Sequence, residues 1–130
     1  MLLAGADMPF FRNPERPVRP WLRRELRTLA DELALPEVSA VALTLMQGAV
    51  WDSQILAQRD RFVRTIDERL ATALALATAH QEFEPFVGPD DASAMLIGPI
   101  LHRTALQAGT ASGGLIDRLI ESIGTWTDRL

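Results

Sequence analysis

The sequence predicts an all-α fold of about five helices, since apolar residues recur at three- and four-residue spacing in five stretches. Proline and glycine separate these stretches, and none of them alternates apolar and polar residues as a half-buried strand would. A hydrophobic fraction of 48% is enough for a packed core, and 130 residues fit one domain. We therefore predict a helical domain over residues 20–130, preceded by an irregular linker or arm over residues 1–19.

Composition excludes several classes of function. Cysteine is absent, which rules out disulfides, thiolate metal sites and cysteine nucleophiles. A net charge of -4 gives no support for nucleic-acid binding by the chain as a whole. The arginines between Arg12 and Arg27 are expected to form a solvated face or to meet a neighbouring domain, with phosphate contact as the alternative. Without a signal-peptide pattern or a membrane-length apolar run, we expect a soluble, cytoplasmic protein.

The first three helices follow from apolar spacing and from proline. The first begins at Pro20, which suits a first helical position, and ends near Ala34 because Pro36 follows. The second runs from about Glu37 to Gly48. The third is long, from Asp52 to about His80, with a charged outer face and an alanine-rich second half that would let another helix approach closely. The loop after it, residues 81–89, places Phe83 and Phe86 as expected core plugs.

The last two helices are strongly apolar. The fourth starts at Pro89-Asp90-Asp91, with acidic residues at its positive end, and runs to Gln107. Pro99 lies in its interior, where it removes a backbone donor and clashes with the carbonyl of Met95, so we predict a bend. The fifth runs from Leu115 to Leu130. Two adjacent apolar helices at the end of a small chain indicate an association surface.

Several of these segments resemble the effector-binding half of TetR-type transcriptional regulators. The similarity spans about residues 19–130 and has no catalytic signature. The segments that carry it are Leu22-Arg23-Arg24-Glu25-Leu26-Arg27, the long helix through Arg61–Arg69 and Ala71–Ala79, the acidic Glu82-Phe83-Glu84, the run Ile97-Gly98-Pro99-Ile100-Leu101-His102-Arg103, and Leu115-Ile116-Asp117-Arg118-Leu119-Ile120.

The resemblance implies a homodimer in which the last two helices of each copy form a four-helix interface. The expected interface residues are Ile100, Arg103, Leu115, Leu119, Ile123 and Trp126. It also implies DNA binding only through a separate N-terminal helix-turn-helix domain, which cannot be fitted into residues 1–20. The chain would then be an excised domain, a mis-started reading frame or a regulator without its DNA reader.

The same resemblance implies a cavity among the first four helices for a small, largely apolar effector. The expected lining residues are Met46, Trp51, Phe62, Ile66, Met95 and His102. Ordinary core packing is the alternative for the apolar ones, and a solvated helix face is the alternative for His102. An internal cavity would favour this function over a helical protein-interaction adaptor without ligand or DNA binding.

Catalysis and metal binding find little support in the sequence. No nucleophile elbow, zinc-protease motif or phosphate-binding glycine loop is present. His80 with Glu82 and Glu84 is a weak metal signal, because residues two apart in a loop rarely converge on one ion. We therefore expect no enzyme activity, no catalytic residues, no cofactor and no metal.

Overall fold

The computed structural model describes residues 8–127, which form five α-helices, one π-helical segment and a two-stranded sheet. In chain order these are α1 Val18–Leu33, α2 Pro36–Gly48, α3 Ser53–Ala79, β1 Phe83–Pro85, α4 Pro89–Leu101, a π-helix His102–Leu106, α5 Gly113–Ser122 and β2 Gly124–Trp126. The predicted all-α class is confirmed. The boundaries of α2 and α3 agree with the sequence prediction to within a residue, and Asp52 caps α3 by accepting from the backbone N–H of Gln54.

The last helix is shorter than predicted. It ends at Ser122 and does not continue towards Leu130, because the chain becomes extended at Gly124 and forms β2. Residues 128–130, which the prediction included, lie outside the described residues. The fourth helix also changes character, since its α-helical part ends at Leu101 and the chain continues as the π-helix. The α-helix continues through Pro99, and three residues later its hydrogen bonding changes to the wider π-helical pattern.

The small sheet joins the end of α3 to the end of α5. Its antiparallel register pairs Phe83 with Trp126, Glu84 with Thr125 and Pro85 with Gly124. The rings of Phe83 and Trp126 lie 4.3 Å apart, and the indole nitrogen of Trp126 donates to the carbonyl of Ile120 at 2.9 Å. Phe83 is buried as predicted, whereas Phe86 is exposed and does not plug the core.

Helix α1 lies at the centre of the molecule, in contact with α2, α3, α4, the π-helix and α5. Helical spacing places its large apolar side chains on one side, where they are almost fully buried. The buried residues of α1 are Val18, Trp21, Leu22, Leu26, Leu29, Ala30 and Leu33. The opposing core side chains come mainly from α3, α4 and α5, among them Leu70, Leu96 and Ile120.

Three arginines at four-residue spacing attach α1 to α5 and to the loop before it. Arg19 pairs with Glu121 at 3.1 Å, and Arg23 pairs with Asp117 at 2.6 Å. Arg27 donates to the carbonyl of Ala111 at 2.5 Å. Because residues four apart share a helix face, this stripe runs antiparallel along α5. Arg19, Arg23 and Arg27 therefore meet groups of their own chain, although the pairs remain partly exposed.

The segment before α1 packs onto the helices. Met8, Phe10 and Phe11 are buried, and one guanidinium nitrogen of Arg69 donates to the carbonyls of Met8 and Phe10 at 2.7 and 2.8 Å. The backbone N–H of Phe11 donates to Glu25 at 2.8 Å. Residues 8–17 are thus irregular in backbone yet belong to the core of the helical domain, and α1 begins two residues before Pro20. Residues 1–7 of the predicted arm lie outside the described residues.

Glu82 secures the start of α1 from a distant point in the chain. Its carboxylate accepts from the backbone N–H of Val18 at 2.7 Å and from the guanidinium of Arg16 at 2.5 Å. The residue that precedes the helix, Pro17, provides no side-chain cap, so Glu82 satisfies one of the unpaired N–H groups of the first turn. A carboxylate at this end also interacts favourably with the helix dipole.

The buried carboxylate makes stability depend on pH. Burial raises the pKa of Glu82, but the hydrogen bonds from Val18 and Arg16 and the charges of Arg16 and His80 outweigh it, so the pKa lies below its usual value. A lowered folded pKa gives stability that is fully present above the ordinary glutamate pKa of about 4.3 and is lost as the pH falls through the folded pKa. We expect Glu82→Gln to lower the urea midpoint at pH 7 and to reduce this acid dependence. The exposed neighbour substitution Glu84→Gln is the control, and equal effects of the two would contradict the assignment.

Gly124 is required by the close approach of β1 to β2. A Cβ at this position would overlap the ring of Phe83 and would lie 2.5 Å from the carbonyl oxygen of Glu84. We expect Gly124→Ala to lower the free energy of unfolding by about 1–3 kcal/mol, as overpacking does elsewhere. Gly113→Ala is the matched control, because nothing lies within 4 Å of its Cβ position. Denaturant unfolding measures both, and an unchanged Gly124→Ala variant would show that the strands do not pair as described.

Candidate ligand-binding cavity

An apolar cavity of about 170 Å³ lies between α1, α2, α3 and α4. Its wall consists of side chains from all four helices, some of them buried and some at the surface. The lining residues are Leu29, Leu33, Ala42, Leu45, Met46, Arg59, Phe62, Val63, Ile97 and Leu101. Among the described residues that form this wall, Arg59 alone carries a charge. The cavity is therefore suited to an apolar body, with one cationic group beside it.

The cavity arises where four amphipathic helices meet without filling the space between them. Leu29 and Leu33 lie one turn apart near the end of α1, and Ile97 and Leu101 lie one turn apart near the end of α4. Opposite them, α2 places Ala42, whose side chain is a single methyl group. The lining side chains therefore leave an apolar space that is partly open at the surface, beside Met46 and Val63.

A groove of about 280 Å³ between α3 and α4 adjoins the cavity. The cavity and the groove share Phe62, Val63 and Ile97 as lining residues, so these three side chains separate them. Val63 is 46% exposed, which places this boundary at the surface. Ser93 donates to Asp67 at 2.5 Å in the groove wall.

The structure brings together only part of the predicted ligand-binding set. Met46 and Phe62 line the cavity. Ile66 is buried and lines the adjoining groove, while Met95 is half-buried and packs against the core outside the cavity wall. His102 is exposed in the π-helix. None of these last three residues belongs to the cavity wall, so the prediction is corrected for them.

Trp51 is the largest correction. Its side chain is 83% exposed, and it lies in the turn between α2 and α3. The backbone N–H groups of Trp51 and Asp52 both donate to the carbonyl of Gly48, which closes a tight turn before Asp52 caps α3. This turn projects the indole ring away from the cavity. The apolar character of Trp51 did not predict its burial, because the turn sets the direction of its side chain independently of the helices on either side.

The sequence reasoning missed most of the wall. Leu29, Leu33, Ala42, Leu45 and Arg59 line the cavity but are not among the predicted ligand-binding residues. Apolar periodicity identifies the inward face of each helix, but it does not show whether the faces fill the space between them. The one sequence feature that indicates an unfilled space is Ala42, because it is a small residue among larger ones on the inward face of a short helix.

The predicted dimer residues divide into buried and accessible ones. Ile100 and Ile123 are fully buried in the core of the subunit, so they cannot form a surface for a partner, and this part of the prediction is corrected. Trp126 is half-buried against Phe83 and closes the same core. Leu115 and Leu119 are half-buried on α5, and Arg103 is exposed, where its Nε donates to Gln107 at 2.9 Å.

A different set of α4 side chains faces outward. Met95, Pro99, His102 and Leu106 follow one another at spacings of four, three and four residues, which places them along one side of α4 and the π-helix. Leu106 is 61% exposed, and α4 packs against α5, which carries Leu115 and Leu119. We refer to these six residues as the α4–α5 face. Consecutive residues of a helix point in different directions, so Pro99 can lie on this outer side while Ile100 is buried.

The π-helix is defined by a hydrogen bond from the backbone N–H of Gln107 to the carbonyl of His102, five residues back. Thr104 is buried there and donates to the carbonyl of Ile100 at 2.8 Å. Single π-helical turns inside helices often occur at functional sites. This one begins directly after Leu101, a cavity residue, and ends at Leu106 on the α4–α5 face.

The described residues give no sign of a metal site or of a membrane-spanning helix. Residues 8–127 contain no group of three or more histidine, aspartate or glutamate side chains arranged to hold a metal ion. Glu82, one of the three weak metal candidates, is instead committed to Arg16 and Val18. No helix in the part of the chain that the structure describes is long and apolar enough to cross a membrane.

Comparison with known families agrees with this architecture. The family model described as tetracyclin repressor-like, C-terminal domain, matches residues 17–123, which covers α1 to the end of α5. The chain belongs to this family. TetR-family C-terminal domains belong to transcription regulators, a class whose members are generally not enzymes. No curated protein and no solved structure matches the chain.

Proposed function

We propose that this TetR-like domain senses a small, largely apolar effector in the cavity between α1 and α4, and that it forms a homodimer through the α4–α5 face. In a repressor, the effector would change how a separate N-terminal helix-turn-helix domain binds DNA. The observation that carries the proposal is the apolar cavity itself, because a close-packed core would leave an effector no place to bind.

The size and polarity of the cavity suit a small apolar molecule. Small-molecule sites are concave, mostly apolar and supplied with few polar groups. An apolar cavity of about 150 Å³ stays dry and binds benzene, and the cavity between α1 and α4 is of similar size, about 170 Å³. A single aromatic ring or a short branched chain would therefore fit without rearrangement of the helices.

The position of α4 supports a connection between the cavity and the dimer. Ile97 and Leu101 line the cavity, while Pro99 lies between them and belongs to the outward face. A ligand that shifts α4 would therefore also shift the surface that meets the second copy. Such a ligand acts only through different affinities for the two arrangements of the dimer.

A protein-interaction adaptor is the second candidate, and one observation favours it. Leu43, Val50 and Trp51 are exposed by 37%, 73% and 83% on α2 and the turn that follows. Aromatic residues are enriched in protein interfaces, so this surface suits a protein partner. Effector sensing requires the cavity, whereas a protein-interaction adaptor does not, so the cavity distinguishes the two functions.

The effector proposal is tested by filling the cavity. We expect Ala42→Leu to stabilise the domain by about 1 kcal/mol, as cavity-filling substitutions do, and to abolish the binding of benzene. Ala40→Leu is the control, because Ala40 lies on the same helix with an exposed side chain. Thermal unfolding with and without benzene measures both effects. If benzene leaves the melting temperature of the original protein unchanged, or if Ala42→Leu destabilises it as overpacking would, the effector proposal fails.

The dimer proposal is tested by a charge on the α4–α5 face. We expect the protein to sediment as a dimer at micromolar concentration and Leu106→Asp to dissociate it, because a buried unpaired carboxylate is costly. Leu106 is 61% exposed in the subunit, so the substitution leaves the fold intact. Val50→Asp places the same charge on the turn after α2 and serves as the control. A monomer at high micromolar concentration, or equal dissociation by both variants, would contradict this face as the interface.

A further inference from the structure

We propose that the effector is a small carboxylic acid, with its apolar body in the cavity and its carboxylate bound by Arg59. This inference rests on the proposed effector function and adds a chemical class to it. The juxtaposition that supports it is an apolar cavity whose wall includes, within the described residues, the aliphatic part of one charged side chain, Arg59, while its guanidinium pairs with Asp60 in the adjoining outer groove.

Arg59 lies at the boundary between the cavity and the solvent. It lines the cavity, and it also lines an outer groove on α3 together with Asp60, Val63 and Arg64. Its side chain is 40% exposed. Arginine often buries its aliphatic stem against apolar surface while the guanidinium stays in water. This arrangement would place a charged group at the mouth of the cavity, within reach of a head group on a bound ligand.

The hydrogen bonds of Arg59 leave it able to bind a carboxylate. In residues 8–127 its Nε and Nη2 both donate to one oxygen of Asp60, at 3.3 and 3.1 Å. A guanidinium has five N–H donors in a planar fork, so this contact engages two of them. The Asp60 side chain is itself 50% exposed, and exposed pairs of this kind contribute little to stability. A ligand carboxylate can therefore replace Asp60 at low cost, and it can form the bidentate pair that arginine favours.

The surrounding acidic residues define the competing ligand class. Asp60, Asp67, Glu68 and Asp90 line the outer groove with Arg59 and Arg64, and they would attract a cation. These carboxylates do not line the cavity, however, and Asp67 already accepts from Ser93. A head group attached to a body inside the cavity meets Arg59 first. Among these carboxylates Asp60 is the one at hydrogen-bond distance from Arg59, so it is the group that a ligand carboxylate must displace.

The test compares three probes that share one aromatic ring and differ in the charge of the head group. Benzoate is anionic, benzyl alcohol is neutral and benzylamine is cationic. Isothermal titration calorimetry of the whole chain at pH 7 measures the affinity of each. We expect benzoate to bind about tenfold more tightly than benzyl alcohol, since a hydrogen bond to a charged group contributes about this factor. We expect benzylamine to bind most weakly.

The arginine is tested by substitution. We expect Arg59→Gln to remove the preference for benzoate and to leave the affinity for benzyl alcohol unchanged. Arg64→Gln is the control, because it removes the same charge five residues further along α3 without touching the cavity. Retained preference in Arg59→Gln, or tightest binding of benzylamine, would overturn the acid class while the effector function stands. If none of the three probes binds at millimolar concentration, both proposals fail.

Discussion

The burial of the apolar face of α1 against several other helices is the constraint on which the rest of the structure depends. Trp21, Leu22, Leu26 and Leu29 are each exposed by 3% or less, and no single neighbouring helix could cover them. The helices α2, α3, α4 and α5 therefore pack together against α1. Its arginine stripe lies outside this apolar face and pairs with Asp117 and Glu121, so the same helix also sets the register of α5.

The domain consequently has two ends of different character. At one end, the start of α1 meets the end of α3, where Glu82 binds Val18 and Arg16 and the Phe83 and Trp126 rings stack. Polar contacts and a small sheet hold this end firmly. At the other end, the end of α1 meets the first half of α3, and the contacts are apolar and incomplete. The cavity lies here, beside the exposed α2 surface.

This difference gives the proposed function a physical basis. A ligand that fills the cavity adds contacts at the loosely packed end, where α2 and α4 have space to move. The firmly held end keeps α1 and α3 in place. Under the proposed function, a change in the position of α4 would reach the α4–α5 face through the π-helix, which begins directly after Leu101 and ends at Leu106. The proposed acid effector would add one polar contact, at Arg59, to an otherwise apolar site.

Helix positions could be predicted from the sequence because each long helix has one buried face and carries its own period. The two strands could not, since three residues are too short to show alternation. The burial of Met8 and Phe10 depends on Arg69, about sixty residues away, which no local pattern reveals. For the site, sequence reasoning named Met46 and Phe62, which line the cavity. It misplaced Trp51, whose direction a turn decides, and it missed Arg59, whose charge favoured a solvated face.

The central claim is that the space between α1 and α4 is an apolar binding cavity. Crystals of the protein pressurised with xenon test it most directly, because xenon enters dry apolar cavities without needing polar partners. We predict a xenon atom in contact with Leu29, Phe62 and Ile97. Diffraction that shows no xenon there, with these three side chains packed against one another, would contradict the account.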